Sequence, residues 1–287
     1  AAIIGAIVLD RVFAYSTSAY SSLHIILQEI DQQCSELNWS YELFPNVIDA
    51  ASAHPFLVKL DQNEFDAVFI GSLYIAQNYA ALFGDRMVYT IGIYNYKELS
   101  YALNFNTYRM AHDAVLELNR LGCREIALFD TDKPTYWSST PDMTRRGYYD
   151  GLKRIGKMRD QALYRQIPVS QQGGFQALTE LWQSCDARPL GVISSDSLMT
   201  IGMIQAAFAL GLRIPEDLII ASHANQGCDA AQFSVPIIKY VNPVGKQIRR
   251  VFANIQNYMK GETPPFGVEL IEPIKQVSGK GKLAAKD

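Results

Sequence analysis

Short runs that are apolar on both faces, each followed by a loop and then by a helix-spaced apolar stripe, recur along this chain and constrain its fold most. Ile3 to Leu9 is the first such run. It ends at Asp10, passes through a polar and aromatic loop, Arg11 to Tyr20, and enters a stripe of Leu23, Ile26, Leu27, Ile30, Cys34 and Leu37. Spacings of three and four put that stripe on one side of a helix packed against a sheet. The same order returns with strands at Tyr41 to Phe44, Ala67 to Ile70 and Val88 to Ile91, and with helices near Ala50 to Gln62 and Ala76 to Phe83. Strands buried on both faces and separated by helices imply a parallel, doubly wound α/β sheet.

A polar stretch around Asn104-Phe105-Asn106 interrupts the pattern, which then restarts. The second series predicts strands at Glu125 to Phe129, Leu163 to Ile167, Leu190 to Ile193, Leu218 to Ser222, Ile237 to Val241 and Gly267 to Ile274. Its helices are Tyr108 to Leu121, Thr144 to Ile155, Phe175 to Cys185, Leu198 to Leu210 and Lys246 to Met259. Two Rossmann-like lobes with parallel sheets result, in keeping with 287 residues, about two domains' worth, of which 48% are apolar. Helix Leu198 to Leu210 has almost no polar face. An all-apolar helix must be buried on both sides, so one side is expected on the sheet and the other against a second subunit, the alternative being cover by a loop of the same chain.

Lys and Arg total 26 against 29 Asp and Glu, a net charge of -3, which leaves no basic excess to neutralise a nucleic-acid backbone. No apolar run approaches the roughly 20 residues of a membrane span. Cys34, Cys123, Cys185 and Cys228 are widely spaced, without CxxC or a neighbouring His at ligand spacing, so they predict reduced structural thiols, no metal site and a cytoplasmic home. Glycine-rich phosphate loops, GxSxG and HExxH are all missing. His24, His54, His112 and His223 are scattered, and neither an enzyme nor a cofactor is expected. The chain opens at Ala1-Ala2-Ile3-Ile4-Gly5 without a charged leader region or cleavage site of its own, and the natural N-terminus is expected upstream.

Ligands of open parallel sheets sit beyond the carboxyl ends of the strands. The loops at those ends are aromatic: Phe13, Tyr15 and Tyr20 after the first strand, Tyr74 after Gly71-Ser72, and Tyr136-Trp137 after Asp130.

Several stretches together resemble the lactose and galactose repressor family (LacI/GalR). Asn119-Arg120-Leu121-Gly122-Cys123-Arg124-Glu125-Ile126-Ala127-Leu128 resembles that family's helix-to-strand segment, and Arg146-Gly147-Tyr148-Tyr149-Asp150-Gly151-Leu152 its "RxxGYxxGL" helix start. Ser195-Asp196-Ser197-Leu198-Met199-Thr200-Ile201-Gly202 is similar to "NDxxAxG". Gly211-Leu212-Arg213-Ile214-Pro215-Glu216-Asp217-Leu218 follows "GxxVPEDV" almost position by position, and Gln276-Val277-Ser278 resembles the closing "RxS". In order and spacing these cover essentially all of residues 3 to 278.

The resemblance implies the type I periplasmic-binding-protein architecture, with a small-molecule effector held between two lobes and a homodimer alongside. It places the first lobe at 1–104 and 240–263, the second at 105–239 and 264–278, and a flexible tail at 279–287, with crossings near Asn104, Lys239 and Pro264. It also implies a DNA-binding headpiece before Ala1, so that DNA is met only through a domain absent from this chain. The expected function is the effector-binding and dimerisation part of a transcriptional regulator; the alternative is a periplasmic solute-binding protein for a sugar or related molecule.

The departures bear on the effector. Thr144 stands where the family has an Arg before the helix glycine, with Arg145 and Arg146 displaced toward Gly147. Val169 stands at an often aromatic position, Ser195 replaces an Asn, and Ala224 replaces the strand-end Asp of Ser222-His223-Ala224-Asn225. A bidentate Asp and Arg pair is the natural clamp for vicinal hydroxyls, and this chain lacks both members. The candidate effector site is therefore Phe13, Tyr15, Tyr20, Ser72, Tyr74, Asp130, Trp137, Arg145, Val169, Ser195, Asp196, His223 and Asn225. Arg145 suits an anionic group, so a sugar or sugar-derived effector with an anionic group or an aromatic-stacking ring, recognised by Arg145 and the tyrosines, is expected. An Asp just before a helix, such as Asp196, is also a natural N-cap.

Overall fold

The computed structural model describes residues 4–9, 22–84, 86–90, 101–131, 142–158, 160–226, 235–263 and 267–279. By its contacts the chain divides into two compact units, Ala1–Asn104 with Val244–Ile271, and Phe105–Pro243 with Glu272–Asp287.

Two boundaries differ from the sequence expectation. Lys239 lies inside the strand Ile237–Asn242, which pairs on both sides within the second unit, so the chain leaves that unit after Pro243. The expected last strand, Gly267 to Ile274, is two strands. Gly267–Ile271 belongs to the first sheet and Ile274–Ser278 to the second. Pro273, which has no N–H for a ladder, falls at the break. Pro264 and all of the tail beyond Gly279 lie outside the described residues.

The first unit is built on a six-stranded sheet. Its strands are β1 (Ile4–Leu9), β2 (Ser40–Phe44), β3 (Ala67–Gly71), β4 (Met87–Thr90), β5 (Tyr101–Phe105) and β11 (Gly267–Ile271), in the order β11-β5-β4-β3-β1-β2. Strands β2, β1, β3, β4 and β5 run parallel. Strand β5 falls on the stretch that reads as polar in sequence, yet Tyr101, Ala102 and Phe105 are buried. Phe44, Phe56, Phe65 and Phe83 form the aromatic centre of the core, with ring centroids 5.4 to 6.4 Å apart. A large side chain buried in this way contributes about 1.5–3 kcal/mol.

Helix α1 (Ser22–Leu37) packs against the unit's last helix, α8 (Val244–Met259), and Trp39, just past its end, stacks on Phe252 at 5.6 Å. Helix α2 (Ala50–Asp61) opens with a capping box, in which Ser52 N donates to Asp49 Oδ1 at 2.8 Å and Asp49 N donates to Ser52 Oγ at 3.1 Å.

The second unit has strands β6 (Glu125–Thr131), β7 (Tyr164–Ile167), β8 (Leu190–Ser194), β9 (Leu218–Asn225), β10 (Ile237–Asn242) and β12 (Ile274–Ser278), in the order β12-β10-β9-β8-β6-β7. Pairing is parallel except between β10 and β12. Helices α4 (Thr107–Arg120) and α5 (Met143–Arg154) carry Met110, Val115, Leu118, Tyr148 and Leu152 into one core with Ile126, Leu128 and Ile193. On the other core, α6 (Gln171–Ser184) and α7 (Ser197–Ala209) pack Leu178, Leu181, Met199 and Met203 against Phe129, Val192 and Ile220. Alternating β6 side chains feed both cores, which is why strands of this kind read as unbroken apolar runs.

Close helix approach explains the glycine of Arg146-Gly147-Tyr148, because a Cβ on Gly147 would lie 2.1 Å from the carbonyl oxygen of Tyr108 on α4. The apolar helix α7 is buried within its own unit. Nine of its residues are buried, one side on the sheet and another against α6, where Gly202 approaches the backbone of Gln171 and Gly174 that of Met199. The second partner expected from sequence is thus helix α6 of the same chain, and of the large apolar side chains on α7 Phe208 stays exposed.

Candidate functional site

Phe13, Tyr15, Tyr20 and Trp137 lie outside the described residues. The remaining candidates divide between the two units. In the first, Ser72 follows β3 and caps helix α3 (Leu73–Tyr79). Its hydroxyl donates to Val47 O at 2.6 Å and accepts from Ile75 N at 3.3 Å, so it holds strand end, loop and helix together with no exposed surface. Tyr74, the second residue of that helix, sets its ring 5.8 Å from that of Tyr79.

The second unit collects the other candidates at the carboxyl ends of its strands. Phe129 pairs with Ser194, Ser194 with Ser222, and Ser222 with Lys239. Asp130, Ser195 and His223 are therefore each the next residue beyond one row, and Asn225 ends β9 opposite Asn242. Register alone assembles this polar group at the sheet end.

Asp130 is the buried charge of the group. It accepts a hydrogen bond from Thr131 N at 2.9 Å, and burial pushes its carboxyl above the usual range despite Ser195, Tyr164 and Arg145, which all favour the ionised form. Arg145, on the first turn of α5, donates to Asp142 Oδ1 at 2.6 Å and lies 5.9 Å over the ring of Tyr164. The cation read from sequence as free for an effector is already ion-paired at rest. Thr144, where the family's Arg would be, is buried.

Ser195 N donates to Phe129 O at 3.0 Å, which fixes the turn after β8. Asp196 is the N-cap of α7, accepting from Leu198 N at 2.7 Å, and burial raises its carboxyl too. Its group is used by the helix. His223 meets Phe105 edge-on at 5.0 Å between ring centroids, and burial lowers its imidazole to about 4, so the ring is neutral near pH 7. Asn242 Nδ2 points to Asn225 Oδ1 at 3.4 Å, a long contact that a ligand group could replace. Val169 is exposed between β7 and α6.

Tyr164 and Asn242 join the group without having been read from the sequence. Tyr164 opens the edge strand β7 and its phenol is pushed up to about 12, mainly by burial with the Asp130 charge beside it. The second unit has two depressions at its surface. One, of about 550 Å³, is lined by Arg145, Arg146, Tyr149, Asp150 and Gln161. The other, of about 420 Å³ between β7 and α6, includes Arg165, whose charge meets Glu180 at 3.4 Å. Neither includes Ser195, His223 or Asn225. Among the described residues no cluster of three or more His, Cys, Asp or Glu could hold a metal, and no helix is long and apolar enough to cross a membrane.

Two mostly parallel sheets with polar side chains gathered at their strand ends define a doubly wound α/β class of fold, in which small-molecule sites lie beyond the carboxyl ends of the strands. The sequence profile described as periplasmic binding protein-like domain matches residues 115–279, and the chain belongs to that family. No curated protein sequence matches it. Among solved structures it is similar to the transcription regulator CcpA of Lactococcus lactis, with a TM-score of 0.71 at 15% identity over 97% of this chain and 98% of that one. A putative transcriptional regulator from Yersinia pestis gives 0.74 at 16%, over 97% and 98%. The CelR regulator in complex with cellobiose gives 0.74 at 16%, over 97% of this chain and 84% of that one. At such identities these likenesses establish the fold.

Proposed function

We propose that this chain is the small-molecule effector-binding part of a LacI/GalR-type transcriptional regulator, working in the cytoplasm and reaching DNA through a separate domain. The observation that carries the reading is the register-aligned group Asp130, Ser195, His223 and Asn225 at the carboxyl ends of the second sheet, with Tyr164 and Asn242 beside it. These are hydrogen-bonding groups set for a polar, hydroxyl-bearing molecule such as a sugar or sugar derivative. The neighbouring folds belong to transcription regulators, one of them solved with cellobiose.

Asp130, Ser195, His223 and Asn225 bring no cation near neutral pH, so a neutral polyol is the preferred effector at this strand-end group. Self-association belongs to the reading on the family resemblance alone, because the apolar helix that first suggested it is covered within its unit. Sedimentation velocity tests that part.

The test of the whole is a thermal-shift panel of neutral mono- and disaccharides, sugar phosphates, sugar acids and purines, since a ligand that binds only the native state raises the melting temperature. Stabilisation by a hydroxyl-rich compound, lost in Asp130→Asn, supports the reading. Stabilisation by none of them, or one indifferent to Asp130 and Asn225, refutes it.

A further inference from the structure

We propose that the depression on the outer face of α5 is a second binding site, for a small molecule carrying a phosphate or carboxylate next to an apolar ring, and that Asp142 occupies its cation until such a ligand arrives. The space is about 550 Å³, and Arg145, Arg146, Tyr149, Asp150 and Gln161 line it. That volume fits a phosphorylated metabolite of ordinary size. Arg145 and Arg146 both line the space, and each guanidinium offers the forked donors that hold a phosphate or carboxylate by paired hydrogen bonds. Arg146 is exposed and has no ion pair among the described residues.

The wall of the site is aromatic and rigid. Tyr149 is half-buried, its ring 5.2 Å from that of Tyr148 and 6.1 Å from that of Tyr164, so it is held in place and can offer a flat surface to a ring. Gln161 adds a neutral amide. Of the carboxylates nearby, Asp150 is engaged by the Tyr108 hydroxyl at 3.1 Å and stays with α4.

Asp142 behaves differently. It stands at the cap position of α5, where an Asp normally accepts a backbone N–H, yet its side chain makes no such bond and instead holds Arg145 at 2.6 Å. Both partners are exposed, at 42% for Arg145 and 54% for Asp142, and an exposed pair of this kind is weak and exchangeable. Displacing it by an incoming anion weakens affinity on the order of fivefold, which is about what such a pair is worth. The site therefore discriminates by charge. A neutral sugar cannot take Asp142's place, while an anion can.

The site adjoins the strand-end group through Tyr164, over whose ring Arg145 lies, and one experiment separates the two. Inorganic phosphate and phenyl phosphate are titrated into the full chain and followed by ³¹P NMR. Phenyl phosphate is expected to bind more tightly than inorganic phosphate because of Tyr149. Asp142→Asn is expected to tighten both about fivefold by freeing Arg145. Arg145→Gln and Arg146→Gln are each expected to weaken both on the order of tenfold, the worth of one charge-assisted hydrogen bond. All three substitutions are at exposed or half-exposed positions, and unchanged melting curves show that folding is retained. No response of wild type and Asp142→Asn through tens of millimolar, or a response that survives Arg145→Gln, overturns the site. Phosphate failing to bind while a neutral sugar still stabilises the chain overturns this proposal and leaves the strand-end reading intact.

Discussion

The carboxylate of Glu29 lies where a side chain on Gly245 would begin: a Cβ there would come within 2.4 Å of Glu29 Oε1. The other oxygen accepts from Arg249 Nη1 at 3.0 Å. Glu29 is on α1 and Gly245 on the first turn of α8, so an acidic group sits against a helix N-terminus, where the helix dipole favours it.

Gly245→Ala is expected to destabilise the first unit by about 1 kcal/mol, because Glu29 must swing away from both the helix end and Arg249. In a Glu29→Ala background the same change should be neutral or stabilising, since alanine exceeds glycine in helix propensity by up to about 1 kcal/mol. Urea unfolding of the four proteins gives the coupling energy. Equal effects of Gly245→Ala in both backgrounds would dismiss the contact as energetically silent.

Gly202→Ala is predicted to be far more damaging. Its Cβ would meet the backbone oxygen of Gln171 at 1.8 Å, and backbone cannot move aside as Glu29 can. Separating α6 from α7 should cost about 3 kcal/mol, the upper part of the usual overpacking range. A melting temperature within a degree or two of wild type would contradict the packing described for these helices.

The alternation of strand and helix was legible because parallel strands bury both faces and so leave unbroken apolar runs, as β6 does with Ile126-Ala127-Leu128-Phe129. Strand β5 was not legible, since Asn104 breaks the apolar pattern even though it is itself buried. Helix α7 is legible as buried on two sides, but that helix α6 of the same chain supplies the second cover is not. Its cover depends on Gly174 and Gly202 letting two helices of one chain approach closely, and sequence distance gives no hint of that. At the site, Asp130, Ser195, His223 and Asn225 could be read because strand ends follow apolar runs. Tyr164 could not, because its role comes from β7 pairing beside β6, and Asp142 could not, because an Asp before a helix reads as a cap.

Two buried carboxylates at these strand ends should separate by function. Asp196→Ala is expected to cost about 1 kcal/mol through the lost cap of α7, leaving effector-induced stabilisation unchanged. Asp130→Asn keeps the shape, removes a charge that burial disfavours, and should leave stability near neutral pH unchanged or higher while abolishing the effector response. Melting temperatures with and without effector give both quantities. Loss of the response in Asp196→Ala with its retention in Asp130→Asn would reverse the two roles.

His223 gives the chain an acid-side weakness whose sign follows from its depressed imidazole. Burial lowers it from 6.5 in the unfolded chain to about 4 in the folded one. Between those values the unfolded state binds the extra proton, so stability is full above about pH 6.5 and falls as pH drops toward 4. The slope contributed by one such group is at most about 1.4 kcal/mol per pH unit. The Asp217 carboxyl, held down to about 2 by Arg213, acts lower, losing its contribution only as pH falls from the ordinary carboxylate range toward 2. The two windows are therefore separable. His223→Gln, which keeps a polar group of similar size but cannot take up the proton, is expected to flatten the stability profile between pH 6.5 and 4 and to leave the steeper fall below it in place. Urea midpoints measured across pH 3 to 8 check this. A profile that keeps its full slope between pH 4 and 6.5 in the variant would mean that His223 is not the group that charges on unfolding.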